Sequence, residues 1–446
     1  MAAIRRPLRQ ALLLALILLL APLAARAQSL IRDAEIEYAL RQLARPLATA
    51  AGISPSSLRV MVINDSAMNA FVLDGQTIMI HSGLLLRLES AAEAQAVIAH
   101  EIAHIANGHI TRRLANLRGA NSAAAMGLLM SLAVAATGNA EAGAGIAMGS
   151  ASSAQRLFFA HTRAEESSAD QAGVRYMARA GVDPQAMVDV LDLFRGQEAL
   201  SSTRQDPYVR THPLTADRLR ALRGFAAAYG GQAAGDETAE YWYARARGKL
   251  GAFLQSPRFT LRKAAGDTGT VGMMRRAIAH HRTPAPDKAL AEMARLEQAR
   301  PNDPFVQELK GQILLESRRV GAAVDAYARA VALAPDEPLI LAGHGRALLA
   351  LDSAQANRQA LAVLEKARAR DPRDPRMLRD LALAHARAGH DGMAALATAE
   401  RYAVGGRMDT ALVHAKRASG LLPRGSPGWL RAQDVLSLAE SAKRRK

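Results

Sequence analysis

Apolar positions change rhythm several times in the first half of the chain and settle into a single helical rhythm in the second. After Arg5, Arg6 and Arg9 comes an uncharged Leu/Ala/Ile block from Ala11 to Leu20, closed by Ala25-Arg26-Ala27. A positive start, a short apolar core and a small-x-small end predict a secretory signal peptide over residues 1–27; the core is shorter than the roughly 20 residues of a membrane span. Next, helical spacing covers Ala34 to Ala51, and β-branched apolar runs occupy Arg59 to Asn64 and Thr77 to His81. Asp74-Gly75, between Phe71-Val72-Leu73 and Thr77-Ile78, predicts a hairpin turn. Glu89 to His109 is Ala-rich, with Val97, Ile98, Ile102 and Ile105 near a 3.6 period, and predicts a helix. Between Gly119 and Gln155 only Glu141 is charged. That stretch reads as a helical hairpin, or more sharply as a lid or membrane-touching hairpin over an active site.

Past Gly230-Gly231 the chain is Ala/Leu/Arg-rich, with prolines at 301, 335, 372 and 423. The expected organisation is a signal peptide (1–27), an α-rich α+β domain with a small β-sheet (28–230), a helical linker (231–266) and an all-α array (267–446). The array ends in a capping helix from Trp429 to Lys446.

Composition narrows the function. The 446 residues are 50% hydrophobic and 22% charged with mean hydropathy −0.03, which is globular and argues against a disordered or polytopic membrane protein. Cysteine is absent, excluding disulfides, thiolate zinc sites and cysteine nucleophiles, so any metal sits on His and carboxylate. Export without cysteine suits a bacterial periplasm. The formal charge of +16 fits anionic surfaces such as lipid headgroups or cell-wall polymers; nucleic acid is the usual first partner for such a charge, but the targeting segment weakens that reading, and no nucleic-acid partner is expected. The run Lys443, Arg444, Arg445, Lys446 reads as a solvated tail.

The decisive motif is His100-Glu101-Ile102-Ala103-His104. On a helix, His at i and i+4 point the same way and both reach one zinc, and the intervening Glu101 is placed to act as general base on a water. A third histidine six residues on, with Gly at three, would complete the metzincin pattern. Here those places hold Ile110 and Asn107, and His109 falls at five. Glu166 and Asp170 stand at i and i+4 on another predicted helix, where one carboxylate can bind zinc and the other orient a ligand histidine.

In the array, Gly311 precedes Pro335 by 24 residues with Ala323, Tyr327 and Ala330 between, a small–small–aromatic–small order that resembles a tetratricopeptide repeat (TPR). The next unit shows Gly345, Ala360, Leu364, Ala367 and Pro372; a degenerate one shows Ala411, Ala415, Ala418 and Pro423. Ala289, Met293, Leu296 and Pro301 look like the second helix of an earlier unit. Three to four such repeats stack into a solenoid whose concave face holds a peptide or partner.

Asn69-Ala70-Phe71, Ile78 to Leu85, the His100 motif, Glu166 with Asp170, and His212-Pro213 with Arg218 together resemble, in that order, the M48 peptidases. The resemblance implies a gluzincin-type domain with one zinc per chain on His100, His104 and Glu166, Glu101 as base and Asp170 behind the ligands. It implies Asn69 on an edge strand that pairs with substrate, and Asn69, His212 and Arg218 as stabilisers of the oxyanion. His212, on a loop before Pro213, is alternatively a fourth zinc ligand that latches the enzyme off. Members of the family commonly carry Glu-Ala-Asp where this chain has Ser167-Ser168-Ala169 before Asp170; the spacing is intact, and Glu165 is the alternate ligand.

The implied function is a periplasmic zinc endopeptidase acting on misfolded or stalled envelope proteins. Its repeats would bind clients or outer-membrane assembly machinery, with peripheral membrane contact through residues 119–155. The competing class is a chaperone or scaffold whose protease site is latched or seldom used. A cell-wall amidase, the third class, usually lacks this helix motif with a downstream Glu.

Overall fold

The hairpin expected around Asp74-Gly75 forms in the structure, a computed structural model that describes residues 29–112, 162–201, 204–230 and 235–443. The segments 1–27 and 119–155 lie outside the described residues. Strand β1 (Ser29–Ile31) leads into helix α1 (Ala34–Ala50), followed by β2 (Arg59–Asn64), β3 (Ala70–Asp74) and β4 (Thr77–His81). The sheet order is β1-β2-β4-β3, with β2 and β4 parallel, β3 antiparallel on β4, and β1 antiparallel on β2. β4 is buried along its whole length, its apolar centre Ile78-Met79-Ile80 flanked by buried Thr77 and His81, and β3 is an edge.

One face of this sheet packs on helices. α1 starts at Asp33, whose carboxylate accepts the backbone N–H of Glu35 and Ile36. It buries Leu40, Leu43 and Leu47 against α2 (Ser82–Arg87) and α3 (Ala91–Ala106) in one core. α4 (Arg163–Arg179) lies along α3, and α5 (Gln185–Asp192), α6 (Pro207–Thr211) and α7 (Ala216–Tyr229) close the unit. Among the described residues no helix is long and apolar enough to cross a membrane.

The stretch read as a linker is a packed element. Helix α8 (Glu237–Leu254) places Ala239, Tyr243, Ala246 and Leu250 in the same core as α1 and α3, and the Tyr243 hydroxyl donates to the carbonyls of Leu85 and Leu88 at 2.9 and 2.8 Å. Its other end enters the array: Ala252 packs with Met274, Ile278 and Met293. α9 (Pro257–Ala264) precedes consecutive helix pairs: α10 (Thr270–His281) with α11 (Pro286–Ala299), α12 (Pro304–Glu316) with α13 (Val320–Leu333), and α14 (Pro338–Ala350) with α15 (Ala354–Arg370). α16 (Pro375–Arg387) with α17 (Asp391–Val404), and α18 (Met408–Leu421) with α19 (Pro427–Lys443), complete it.

The small–aromatic pattern explains the stacking. The Tyr327 ring of α13 lies so close to Gly311 of α12 and Gly343 of α14 that a Cβ at either would meet it at 2.7 and 2.4 Å. The α16–α17 pair was not marked by that pattern.

Ion pairs fix the array to the first unit. Lys249 of α8, fully buried, places Nζ 2.9 Å from Asp33, 3.3 Å from Glu35 and 3.2 Å from Glu308. Arg245 pairs with Glu35 and Asp303, Arg32 meets Asp371 at 2.5 Å, and Arg41 meets Glu337 at 2.7 Å.

Candidate metal centre and active site

Helix α3 is apolar nearly all round and buried, so His100, Glu101 and His104 sit inside the fold. Ser90 caps its first turn by accepting the Glu93 N–H at 3.1 Å. α4 comes unusually close because the facing residues are small: Ala103 packs with Ala169 and Ala172, and a Cβ on Gly173 would stand 3.5 Å from the Ala99 backbone and 2.8 Å from Met187. That approach brings Glu166 and Asp170, four residues apart on α4, to the histidines.

Glu166 spans both rings, with Oε2 3.5 Å from His100 Nε2 and Oε1 3.3 Å from His104 Nε2, while the two Nε2 atoms are 3.1 Å apart. His212, ending α6, adds a fourth donor: one ligand atom from each of His100, His104, Glu166 and His212 falls within a 4.8 Å group. Its Nε2 also stands 3.3 Å from Glu101 Oε1.

Behind these donors lie their supports. Asp170 Oδ1 takes His100 Nδ1 at 3.0 Å, and Arg218 grips Asp170 through Nε and Nη2 at 2.6 and 2.9 Å. Arg218 Nη1 meets Glu166 Oε2 at 2.5 Å and the Pro213 carbonyl at 3.3 Å. His104 Nδ1 lies 2.8 Å from His109 Nδ1. His212 stacks on Tyr208, itself stacked on Phe194, and its Nδ1 lies 2.9 Å from Thr211 Oγ1, which bonds Asn69 Oδ1 at 3.2 Å.

The sequence profile of peptidase family M48 matches residues 32–226. Residues 32–226 are an M48 peptidase domain. A Vibrio cholerae relative bearing the name beta-barrel assembly-enhancing protease is 31% identical over 205 residues, covering 45% of this chain and 41% of the relative. The beta-barrel assembly-enhancing protease of Escherichia coli is 28% identical over 194 residues (44% of this chain, 39% of the relative), and the metalloprotease LoiP of that organism 27% over 200 residues (43% and 72%). The match thus spans about two-fifths of the length of the assembly-enhancing proteases. A thermophilic TPR protein of Thermus thermophilus aligns with 38% of this chain over its full length at 21% identity and a TM-score of 0.26, so the repeat assignment rests on the packing of Tyr327 and its glycines.

Residues 32–226 match a peptidase family, and their donor set suits a metal. Donors around one tetrahedral zinc at roughly 2.0–2.1 Å stand about 3.3 Å from one another; here the two Nε2 atoms are 3.1 Å apart, and each lies near one Glu166 oxygen, His104 at 3.3 Å from Oε1 and His100 at 3.5 Å from Oε2. The buried carboxylate oxygens of Glu101 and Glu166 are held by ion pairs, Glu166 Oε2 to Arg218 and Glu101 Oε1 to His212, without forming a regular hydrogen bond, which leaves Glu166 Oε1 able to face a cation.

Electrostatics follow the same geometry. Burial works against charge on His100, but the hydrogen bonds and charges of Asp170 and Glu166 outweigh it and lift the imidazole to about 10. Burial drives His104 down to about 4, aided by the charge of His100 against the pull of Glu166. Burial also opposes ionisation of Glu166 and Asp170, yet Arg218 beside both holds them below the usual carboxylate range. Burial opposes ionisation of Glu101 as well, but His212, then His100 and His104, outweigh it and hold the group below the usual range, so it is a carboxylate able to accept a proton.

Two sequence expectations are revised in the M48 domain. Arg218 does not offer its guanidinium to an oxyanion: Asp170, Glu166 and the His212 and Pro213 carbonyls take its donors. Glu165 is not an alternate ligand, because it closes the Thr162 capping box while Glu166 faces the rings. His100, Glu101, His104, Glu166 and His212 converge, and Asn69 joins through Thr211 just before edge strand β3. Sequence reading missed Tyr208 and Thr211, for which spacing relative to His212 was the sole signal.

Proposed function

We propose that this protein is a periplasmic zinc endopeptidase that hydrolyses misfolded or stalled envelope proteins, with its repeats holding clients or an assembly machine. One observation carries the catalytic part: His100, His104, Glu166 and His212 form one buried donor cluster, with a further carboxylate, Glu101, beside it. The envelope role is supported by relatives named beta-barrel assembly-enhancing protease. Clefts of about 780 and 370 Å³ where the array meets α1 and α8 are of a size to seat peptide side chains.

His100, His104 and Glu166 would hold one zinc. When bound, zinc supplies Lewis acidity that polarises a carbonyl and acidifies a water. Glu101 takes the proton of the attacking water and delivers it to the leaving amine nitrogen. Asp170, held by Arg218, fixes the His100 ring, so Arg218 is a positioning residue. Asn69, beside the edge of the sheet, is placed to donate to the substrate from its amide. The full chain is expected to hold one zinc, to degrade casein or an unfolded outer-membrane protein, to lose that activity with a chelator and to regain it with zinc. Zinc binding without cleavage of either substrate would sink the protease reading and favour a scaffold.

A second reading has its own support. His212 lies inside the donor group and would fill the position a substrate water needs, which supports a reading in which His212 latches the enzyme off. His212→Ala is expected to raise the cleavage rate and weaken zinc binding. A slower variant with unchanged zinc affinity would retire the latch and leave His212 as an oxyanion stabiliser.

A further inference from the structure

A small pocket opens where α8, α9 and α10 meet the end of α2, and none of the metal donors lines it. Its volume is about 200 Å³, below the roughly 300–1,000 Å³ of clefts that take drug-sized molecules. Gly248 and Gly251, one turn apart on the same face of α8, line it. A Cβ on Gly248 would stand 2.7 Å from Val271 and 3.5 Å from Arg275, and one on Gly251 would stand 3.5 Å from Leu86. Two absent side chains therefore keep the pocket open.

Every charged side chain that lines it is a cation: Arg247 of α8, Lys263 of α9 and Arg275 of α10. Elsewhere at this junction basic groups are held by carboxylates, as Arg245 and Lys249 are by Glu35. Among the described residues, Arg247, Lys263 and Arg275 form no ion pair. Arg247 gives Nε and Nη2 to the Leu86 carbonyl at 3.3 and 3.1 Å, which leaves its charge unneutralised. Lys263 Nζ lies 6.0 Å from the centre of the Phe259 ring. Burial lowers the pKa of Arg275; Asp267 opposes that, and the charge of Arg247 adds to it. Three like charges around one small space repel, and an anion among them removes the repulsion.

We propose that this pocket binds one phosphomonoester group, with Arg247, Lys263 and Arg275 as its cationic partners. A carboxylate brings two oxygens and one charge. A phosphomonoester brings three acceptor oxygens and about −1.5 to −2 charges at pH 7, the better match for three cations on three helices. Inorganic phosphate and a lipid headgroup ending in phosphate both offer that chemistry. Beside the pocket, Leu254 and Phe259 are 36% and 39% exposed, and Arg258 and Arg262 are exposed on α9, a mixture of apolar and basic side chains that suits a lipid surface. The site holds whether or not the metal centre cleaves peptides.

The test uses the full chain and two probes at fixed ionic strength, because salt screens surface charge. Inorganic phosphate is titrated by calorimetry, and vesicles of phosphatidylcholine with phosphatidic acid, or with phosphatidylglycerol at equal surface charge, are followed by flotation. Arg275→Gln and Lys263→Gln are each expected to weaken binding about fivefold, and the double variant about 25-fold. Neither change breaks an ion pair, so thermal unfolding in chloride should match the parent. Arg424→Gln removes one charge from the exposed turn between α18 and α19 and should bind as the parent does. Flotation with phosphatidic acid above that with phosphatidylglycerol, lost in the pocket variants, supports the site with a lipid as its source. Phosphate binding with the same losses and no flotation supports it with the free anion as source. Binding that persists in the double variant, or that Arg424→Gln weakens as much, reduces the effect to overall charge and overturns the proposal, as does failure of both probes.

Discussion

Glu101→Gln is expected to hold zinc as the parent does and to lose proteolysis by roughly 10²- to 10⁴-fold, the range of a missing general base. Gln matches Glu in shape, so the proposed ligands His100, His104 and Glu166 keep their places. The change removes the buried carboxylate that His212 and the α3 histidines hold ionised. Zinc content and casein cleavage on one preparation check it. A variant that still cleaves at the parental rate would place the base elsewhere. The same variant separates the two classes of function: client handling that survives it belongs to a chaperone or scaffold, and handling that disappears with it belongs to a protease.

The second large effect is expected far from the site. Lys249→Met should lower stability by about 3–5 kcal/mol, because removing one partner of a buried ion cluster leaves the others uncompensated. Asp33, Glu35 and Glu308 all face Lys249 Nζ within 3.3 Å. Burial lifts Glu308 to about 7 from 4.5 even with Lys249 beside it. A carboxyl raised in the folded state binds more protons there than when unfolded, so its contribution improves as pH falls from 7 towards 4.5. The Lys249→Met defect should accordingly be smaller at pH 5 than at pH 8. Denaturant midpoints at both pH values decide it, and an unchanged midpoint at pH 8 would mean that the cluster holds nothing together.

What the sequence displayed and what it hid follow from locality. The His100–His104 helix, the Asp74-Gly75 hairpin and the Gly311–Tyr327 repeat grammar are readable because period, turn residues and partners lie within a few tens of residues. β1 has three residues and is a strand because β2 offers it an edge, so no run of its own announces it. α8 read as a linker because Arg245 and Lys249 look like solvent-facing residues. Their partners, Glu35, Asp303 and Glu308, are distant in sequence, and such pairing makes buried charge tolerable without leaving a local trace. Arg218 likewise looked free to meet substrate until Asp170, 48 residues away, claimed it.

Helix α8 has one end in each of two cores, Tyr243 and Leu250 with the peptidase and Ala252 with the first helices of the array. A cut on either side strips apolar surface from a neighbour, so the chain has a seam there and not a joint. Swapping repeat arrays between relatives, in the laboratory or in evolution, then succeeds only if the incoming array matches the end of α8 it inherits. Peptidase domain and array therefore drift as a matched pair, and a change on the array is accommodated most readily on its exposed surfaces, away from α8.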